Sequence, residues 1–150
     1  MVFYGQIKKN AMRYKKLFTI IIGSLMIMCK QGQSMNIIRK SEREKYVNPT
    51  SVVYEYPLGD KDINGAIAEI NGRYPERGYA VNNECKELAY VVSGNGKIVV
   101  EGKEILLAQG DVVSIKAGEK YYWSGNMELF LACTPAWYPE QHKNIVDENS

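Results

Sequence analysis

The stretch Glu87-Leu88-Ala89-Tyr90-Val91-Val92-Ser93-Gly94-Asn95-Gly96 decides the fold. Its first half is apolar and β-prone, and its second half supplies Gly and Asn, which tolerate positive φ. Together they predict a strand entering a hairpin turn, with Gly96-Lys97-Ile98-Val99-Val100 returning and Glu101-Gly102-Lys103 making the next turn. Upstream lie two further short β-rich runs, Val52 to Tyr56 and Ala66 to Ile70. Downstream come Glu104 to Leu107, Val112 to Ile115, Tyr121 to Trp123 and Leu129 to Ala132. Each run is closed by Gly, Asn, Asp or Pro, and no ten-residue helical period appears. Regular short strands with this punctuation predict an all-β antiparallel sandwich or barrel.

The size fits one such unit. A chain of 150 residues and 17.0 kDa, 45% hydrophobic and 24% charged, closes one core and excludes collagen-like, coiled-coil and wholly disordered readings. The net charge of +2 is unevenly spread: Lys8, Lys9, Arg13, Lys15 and Lys16 place five positive charges and no acid in the first sixteen residues. The chain from Leu17 onward is mildly acidic, so it lacks the clustered Lys and Arg that phosphate neutralisation needs, and no nucleic-acid partner is expected.

The basic stretch runs into Leu17 to Cys29, thirteen uncharged and mostly apolar residues before Lys30. A charged flank followed by a short apolar run is the pattern of a signal peptide, whereas a spanning helix wants about 20 apolar residues. Residues 1–34 are therefore expected to be a signal peptide or a membrane-anchor-like segment, making the protein exported or membrane-associated, with any membrane contact confined to this segment. Gly32 and Ser34 offer a cleavage site after Ser34, while Cys29 is a weak lipoprotein site because Met28 precedes it. An alternative start at Met35 would make the protein cytoplasmic. Residues 35–50 read as a lead-in arm with room for one short strand or helix, 51–138 as the barrel and 139–150 as a polar tail. Cys85 and Cys133 read either as one disulfide or as two buried thiols, the second by base rate.

The decisive stretch resembles the second half of the first cupin motif, in which a glutamate precedes a tyrosine, two aliphatics and spaced glycines. Gly110-Asp111-Val112-Val113-Ser114-Ile115-Lys116-Ala117-Gly118 is similar to the second cupin motif. The resemblance implies a double-stranded β-helix, the cupin jelly-roll barrel, over roughly residues 50–135, following the N-terminal apolar segment. It also implies where a cupin metal would be held. The family glutamate falls on Glu87, and the three family histidines fall on Val81, Asn83 and Tyr121. Three of four ligands are thus missing, and neither a metal nor another cofactor is expected. A homodimer is implied by the resemblance alone.

In such a barrel, alternation would put Tyr79, Val81 and Asn83 on one strand face and Tyr121 and Trp123 on another, sharing a cavity with Glu87. The expected ligand-binding set is Tyr79, Asn83, Glu87, Tyr121 and Trp123, an aromatic wall with a carboxyl suited to a small molecule such as a carbohydrate. A carboxyl facing an apolar interior should find hydrogen bonds or take up a proton, so a raised pKa is expected for Glu87. Three functional readings stay open: metal-independent small-molecule binding; a metal-free sugar isomerase or epimerase with Glu87 as catalytic proton acceptor and Tyr121 as donor; and a structural or regulatory barrel with a filled interior. His142, the single histidine, is expected on the surface beyond the barrel. Arg73, Arg77, Lys116 and Lys120 are expected at the ends of the pocket strands, as a solvated rim or as partners for an anionic ligand.

Overall fold

The structure, a computed structural model, describes residues 35–146. Every strand named below belongs to the compact unit that begins at Ile37. The expected N-terminal segment 1–34 lies outside the described residues.

Nine strands occur in order, β1 (Glu44–Asn48), β2 (Ser51–Tyr56), β3 (Asn64–Tyr74), β4 (Tyr79–Asn82), β5 (Lys86–Val100), β6 (Lys103–Ala108), β7 (Val112–Ile115), β8 (Lys120–Thr134) and β9 (His142–Ile145). Short 3-10 turns occupy Lys40–Glu42 and Pro139–Gln141, and there is no α-helix among the described residues. Every pairing is antiparallel, in the order β1-β2-β3-β8-β4-β9, with β5 joining β6, β7 and β8. β8 is the spine: it pairs along its length with β3 on one side and β5 on the other, and its first residues also pair with β4. The fold is all-β and curls around one interior.

Alternation along these strands makes that interior. Tyr121, Trp123, Met127, Leu129 and Cys133 of β8 are buried, as are Glu87, Ala89 and Val91 of β5, while Leu88, Tyr90 and Phe130 between them are exposed. Ile98, Ile115, Leu129 and Val91 are fully enclosed, each contributing about 1.5–3 kcal/mol by removal from water.

Two features depart from the sequence reading. Ser93 to Gly96 is not a hairpin turn: β5 runs straight through it, with a bulge between Val91 and Ser93. The glycines serve close approach instead, because β5 and β8 cross where Gly94, Gly96 and Gly125 meet, and a Cβ on Gly94 would strike the Asn126 carbonyl. The turn at Glu101-Gly102 forms as expected, with positive φ at both residues. The second departure is in the polar tail, which enters the sheet, whereas the arm supplies the short strand it had room for. β1 lies within the lead-in arm and pairs with β2, while β9 lies within the polar tail and pairs with β4.

Candidate functional site

A cavity of about 380 Å³ opens between the sheet faces. β2 lines it with Ser51, Val53 and Glu55, since odd residues of that strand point inward, and β1 adds Tyr46 and Asn48 opposite Val53 and Ser51. Ala66, Ala68, Ile70 and Tyr74 come from β3, and Tyr121, Trp123, Leu131 and Cys133 from β8. Trp137, Pro139 and His142 arrive from the chain beyond the last long strand. Glu87, on β5, stands opposite Cys133 in the β5–β8 register.

Glu87 is the chemical centre. It is only 5% exposed, and its Oε2 accepts a hydrogen bond from Asn82 Nδ2 at 3.1 Å, with the Cys133 thiol 3.9 Å away. Its other oxygen, Oε1, is buried without a hydrogen-bond partner. Burial pushes its pKa up from 4.5 to about 7, against the downward pull of Asn82, Tyr121 and Cys133. The raised value expected from sequence is thus accounted for by desolvation.

Asn82 connects this carboxyl to the rest of the site. Its NH2 group donates to Tyr121 Oη at 3.2 Å as well as to Glu87. Its Oδ1 accepts from Trp137 Nε1 at 3.1 Å and meets His142 Nδ1 at 2.8 Å. An indole N–H can only donate, so Oδ1 is fixed as the acceptor and His142 must carry its proton on Nδ1. Nε2 of His142 is then free to accept from the Tyr74 hydroxyl, 3.3 Å away. Burial lowers the His142 pKa, partly offset by a bond with Asn144, so the ring is neutral at pH 7.

The phenols stay protonated. Burial, then the charge of Glu87, raises the pKa of Tyr74 and drives that of Tyr121 well above its ordinary value. Cys85 and Cys133 are both free and buried; Cys133 remains a neutral thiol because of its bond with Cys85, its burial and the nearby Glu87.

The tail reaches the site through specific anchors. Gln141 Oε1 accepts from the backbone N–H groups of Glu84 and Cys85, and its carbonyl accepts from the N–H and Nδ2 of Asn83. Asn64 holds the backbone of Trp137 from both sides, donating to its carbonyl and accepting from its N–H.

Of the expected site residues, Glu87, Tyr121 and Trp123 line the cavity together. Tyr79 and Asn83 do not. Tyr79 packs against Tyr122, with ring centroids 5.6 Å apart, and Asn83 is exposed with its amide tied to Gln141. The phase of β4 is one residue from that expected, so Ala80 and Asn82, rather than Val81 and Asn83, take the inward positions beside Tyr121 and Glu87. His142 is likewise not a surface histidine, because the pairing of β9 with β4 carries it to the cavity wall. None of Arg73, Arg77, Lys116 and Lys120 lines the cavity; the Arg73 guanidinium lies over Tyr122, donating to Pro75 and Gly78 carbonyls.

The donors do not suit a metal. No three of His, Cys, Asp and Glu converge among the described residues, and the group pressed on Glu87 Oε2 is an NH2, which repels a cation.

A family model described as "Cupin domain" matches residues 77–129, the span from just before β4 into β8. The barrel has the cupin fold. Among solved structures it is similar to Pac13, described as a unique nucleoside dehydratase, with 16% identity, a TM-score of 0.69, and 78% of this chain and 98% of that one covered. Oxalate decarboxylase from Bacillus subtilis shares 11% identity over 75% of this chain and 33% of its own, with a TM-score of 0.63. KdgF from Halomonas sp. shares 14% over 68% and 94%, with a TM-score of 0.54. At these identities the likeness is one of fold. No curated protein matches the chain.

Proposed function

We propose that this cupin binds a small hydroxylated molecule, of monosaccharide to nucleoside size, through its own side chains and without a metal. The observation that carries this reading is the open cavity of about 380 Å³, lined in part by Glu87, whose carboxyl keeps one buried oxygen without a partner. Aromatic faces from Trp123, Trp137, Tyr46 and Tyr74 suit the apolar face of a sugar or a base, and the polar groups of Glu87, Asn48 and Asn64 suit hydroxyls. A barrel interior that served only packing would be filled. The similarity to Pac13, a variant of which from Streptomyces is described with uridine, is consistent with a ligand of this size.

Proton-transfer catalysis is the second reading, favoured by a specific feature. A carboxyl held at about pKa 7 exchanges protons most readily at neutral pH, which suits Glu87 as acceptor in an isomerisation, an epimerisation or an elimination beside a carbonyl. Tyr121, with its pKa driven up, would supply a hydrogen bond to developing charge rather than an acidic proton. Saturation-transfer NMR with mixtures of monosaccharides and nucleosides tests the binding reading. Transfer to a ligand that disappears in Trp137→Ala supports it, and no transfer from either class removes it. Solvent deuterium entering the bound ligand in the wild type but not in Glu87→Gln would establish the catalytic reading.

A further inference from the structure

The charged groups on the cavity wall are all of one sign. Glu55 and Glu87 line it, His142 is neutral at pH 7, and no Lys or Arg is among the described lining residues. Glu55 sits on β2 opposite Glu44 of the neighbouring strand, which adds a further negative charge beside it. A phosphate or carboxylate entering this space would lose its water and find two carboxyls and no counter-charge. A neutral hydroxyl could donate to Glu87 Oε1, but whenever Glu87 is ionised its charge would stay unneutralised.

We infer that the ligand selected here carries a protonated amine beside its hydroxyl groups, the ammonium N–H meeting Oε1 of Glu87 among the rings of Tyr74, Tyr121, Trp123 and Trp137. Three properties converge on that chemistry. Oε1 is buried and unpartnered on a residue that lines the cavity, so it calls for a donor. The rings of Tyr74, Tyr121, Trp123 and Trp137 that line the cavity are electron-rich surfaces of the kind that hold cations. Charge-assisted hydrogen bonds are about twice as strong as neutral ones, and this one would form away from water. The inference rests on the cavity being a small-molecule site and adds the sign of the charge on its ligand.

Two matched ligand sets test it on the full chain at neutral pH: glucose, glucosamine and glucuronate; and uridine, its aminodeoxy counterpart and uridine monophosphate. Affinities are read by saturation-transfer NMR and by the fluorescence of Trp123 and Trp137. On at least one scaffold the aminated member should bind roughly tenfold tighter than the neutral one, with the acid weakest. Glu87→Gln should erase that preference, and Glu55→Gln should reduce it in part. Equal binding of neutral and aminated members, or tighter binding of the acids, overturns the inference and leaves the small-molecule reading standing. No binding by any member of either set overturns both.

Discussion

Nδ1 of His142 lies 2.8 Å from Oδ1 of Asn82, and that contact, with the Trp137 indole N–H on the same oxygen, determines what Asn82 offers to Glu87. With its oxygen occupied by two donors, the amide must turn its NH2 toward the carboxyl and Tyr121. A histidine sixty residues away thereby sets the polarity of the hydrogen bond that Glu87 accepts. The orientation follows from chemistry: a flipped amide would face the indole N–H with another donor and give the carboxylate a second acceptor.

Asn82→Asp tests that polarity. The aspartate keeps the shape of the side chain and its bonds to Trp137 and His142, but puts an oxygen where the NH2 met Glu87 at 3.1 Å. Two carboxyls that close cannot both ionise, so one of them must hold a proton. The variant should be close to wild type in urea unfolding at pH 5 and about 2–4 kcal/mol less stable at pH 8. Combining it with Glu87→Gln should recover most of the loss. An equal loss at both pH values would contradict the proposed polarity.

Glu87 also sets a pH dependence whose sign is fixed by its raised pKa. At pH values below 4.5 the carboxyl is protonated in both folded and unfolded chains, and its burial costs little in charge terms. Between 4.5 and about 7 the unfolded chain releases the proton while the folded one keeps it, so stability falls; above about 7 the loss is complete at about 3 kcal/mol. His142 works oppositely: its lowered pKa means stability is lost as pH falls through 6.5. Glu87→Gln removes only the first slope, so the stability difference between variant and wild type should widen from pH 4.5 to 7 and then level off. A difference that is flat across this range in denaturant titrations would mean Glu87 ionises normally.

The strands and the glutamate were legible because their signals are local: apolar alternation, Gly punctuation, and a fixed spacing between two motifs. The parity of β4 was not. Tyr79-Ala80-Val81-Asn82-Asn83 has no clean alternation and ends in an asparagine doublet, so a shift of one residue leaves a plausible reading while moving the functional amide from Asn83 to Asn82. β9 reads His-Lys-Asn-Ile, without a hydrophobic pattern, and is placed by Gln141 bonding to the Glu84–Cys85 backbone, a relationship no short window contains. Ser93 to Gly96 misled for a different reason. Glycine marks both turns and close backbone approach, and only the β5–β8 pairing tells which is meant.

Trp137 contributes a ring to the cavity and a proton to Asn82, and the two can be separated. Trp137→Phe keeps an aromatic face but removes the N–H, leaving Oδ1 of Asn82 with His142 alone, so thermal unfolding should show a loss of about 1 kcal/mol with ligand binding weakened modestly. Trp137→Ala removes the wall as well and should abolish binding. If Phe and Ala behave alike toward ligand, the ring face is irrelevant and the hydrogen bond carries the whole effect.

Gly94 and Gly102 both have φ near +80°, at 80° and 77°, but only one of them is hemmed in. Nothing lies within 4 Å of a Cβ on Gly102, so Gly102→Ala meets only the left-handed backbone penalty of about 1 kcal/mol. A Cβ on Gly94 would run into the Asn126 carbonyl and stand 2.9 Å from the Met127 Cα, both on β8. Backbone cannot rotate away as a side chain can, so β5 and β8 would have to part at their crossing. Gly94→Ala should therefore cost roughly 3–5 kcal/mol in urea unfolding, several times the effect of Gly102→Ala. Because β5 also carries Glu87 and β8 carries Tyr121 and Cys133, the same separation should loosen the cavity and weaken ligand binding, which Gly102→Ala should leave intact. Comparable losses for the two variants would place the glycine requirement in the backbone angle alone and remove the crossing as a determinant of the barrel.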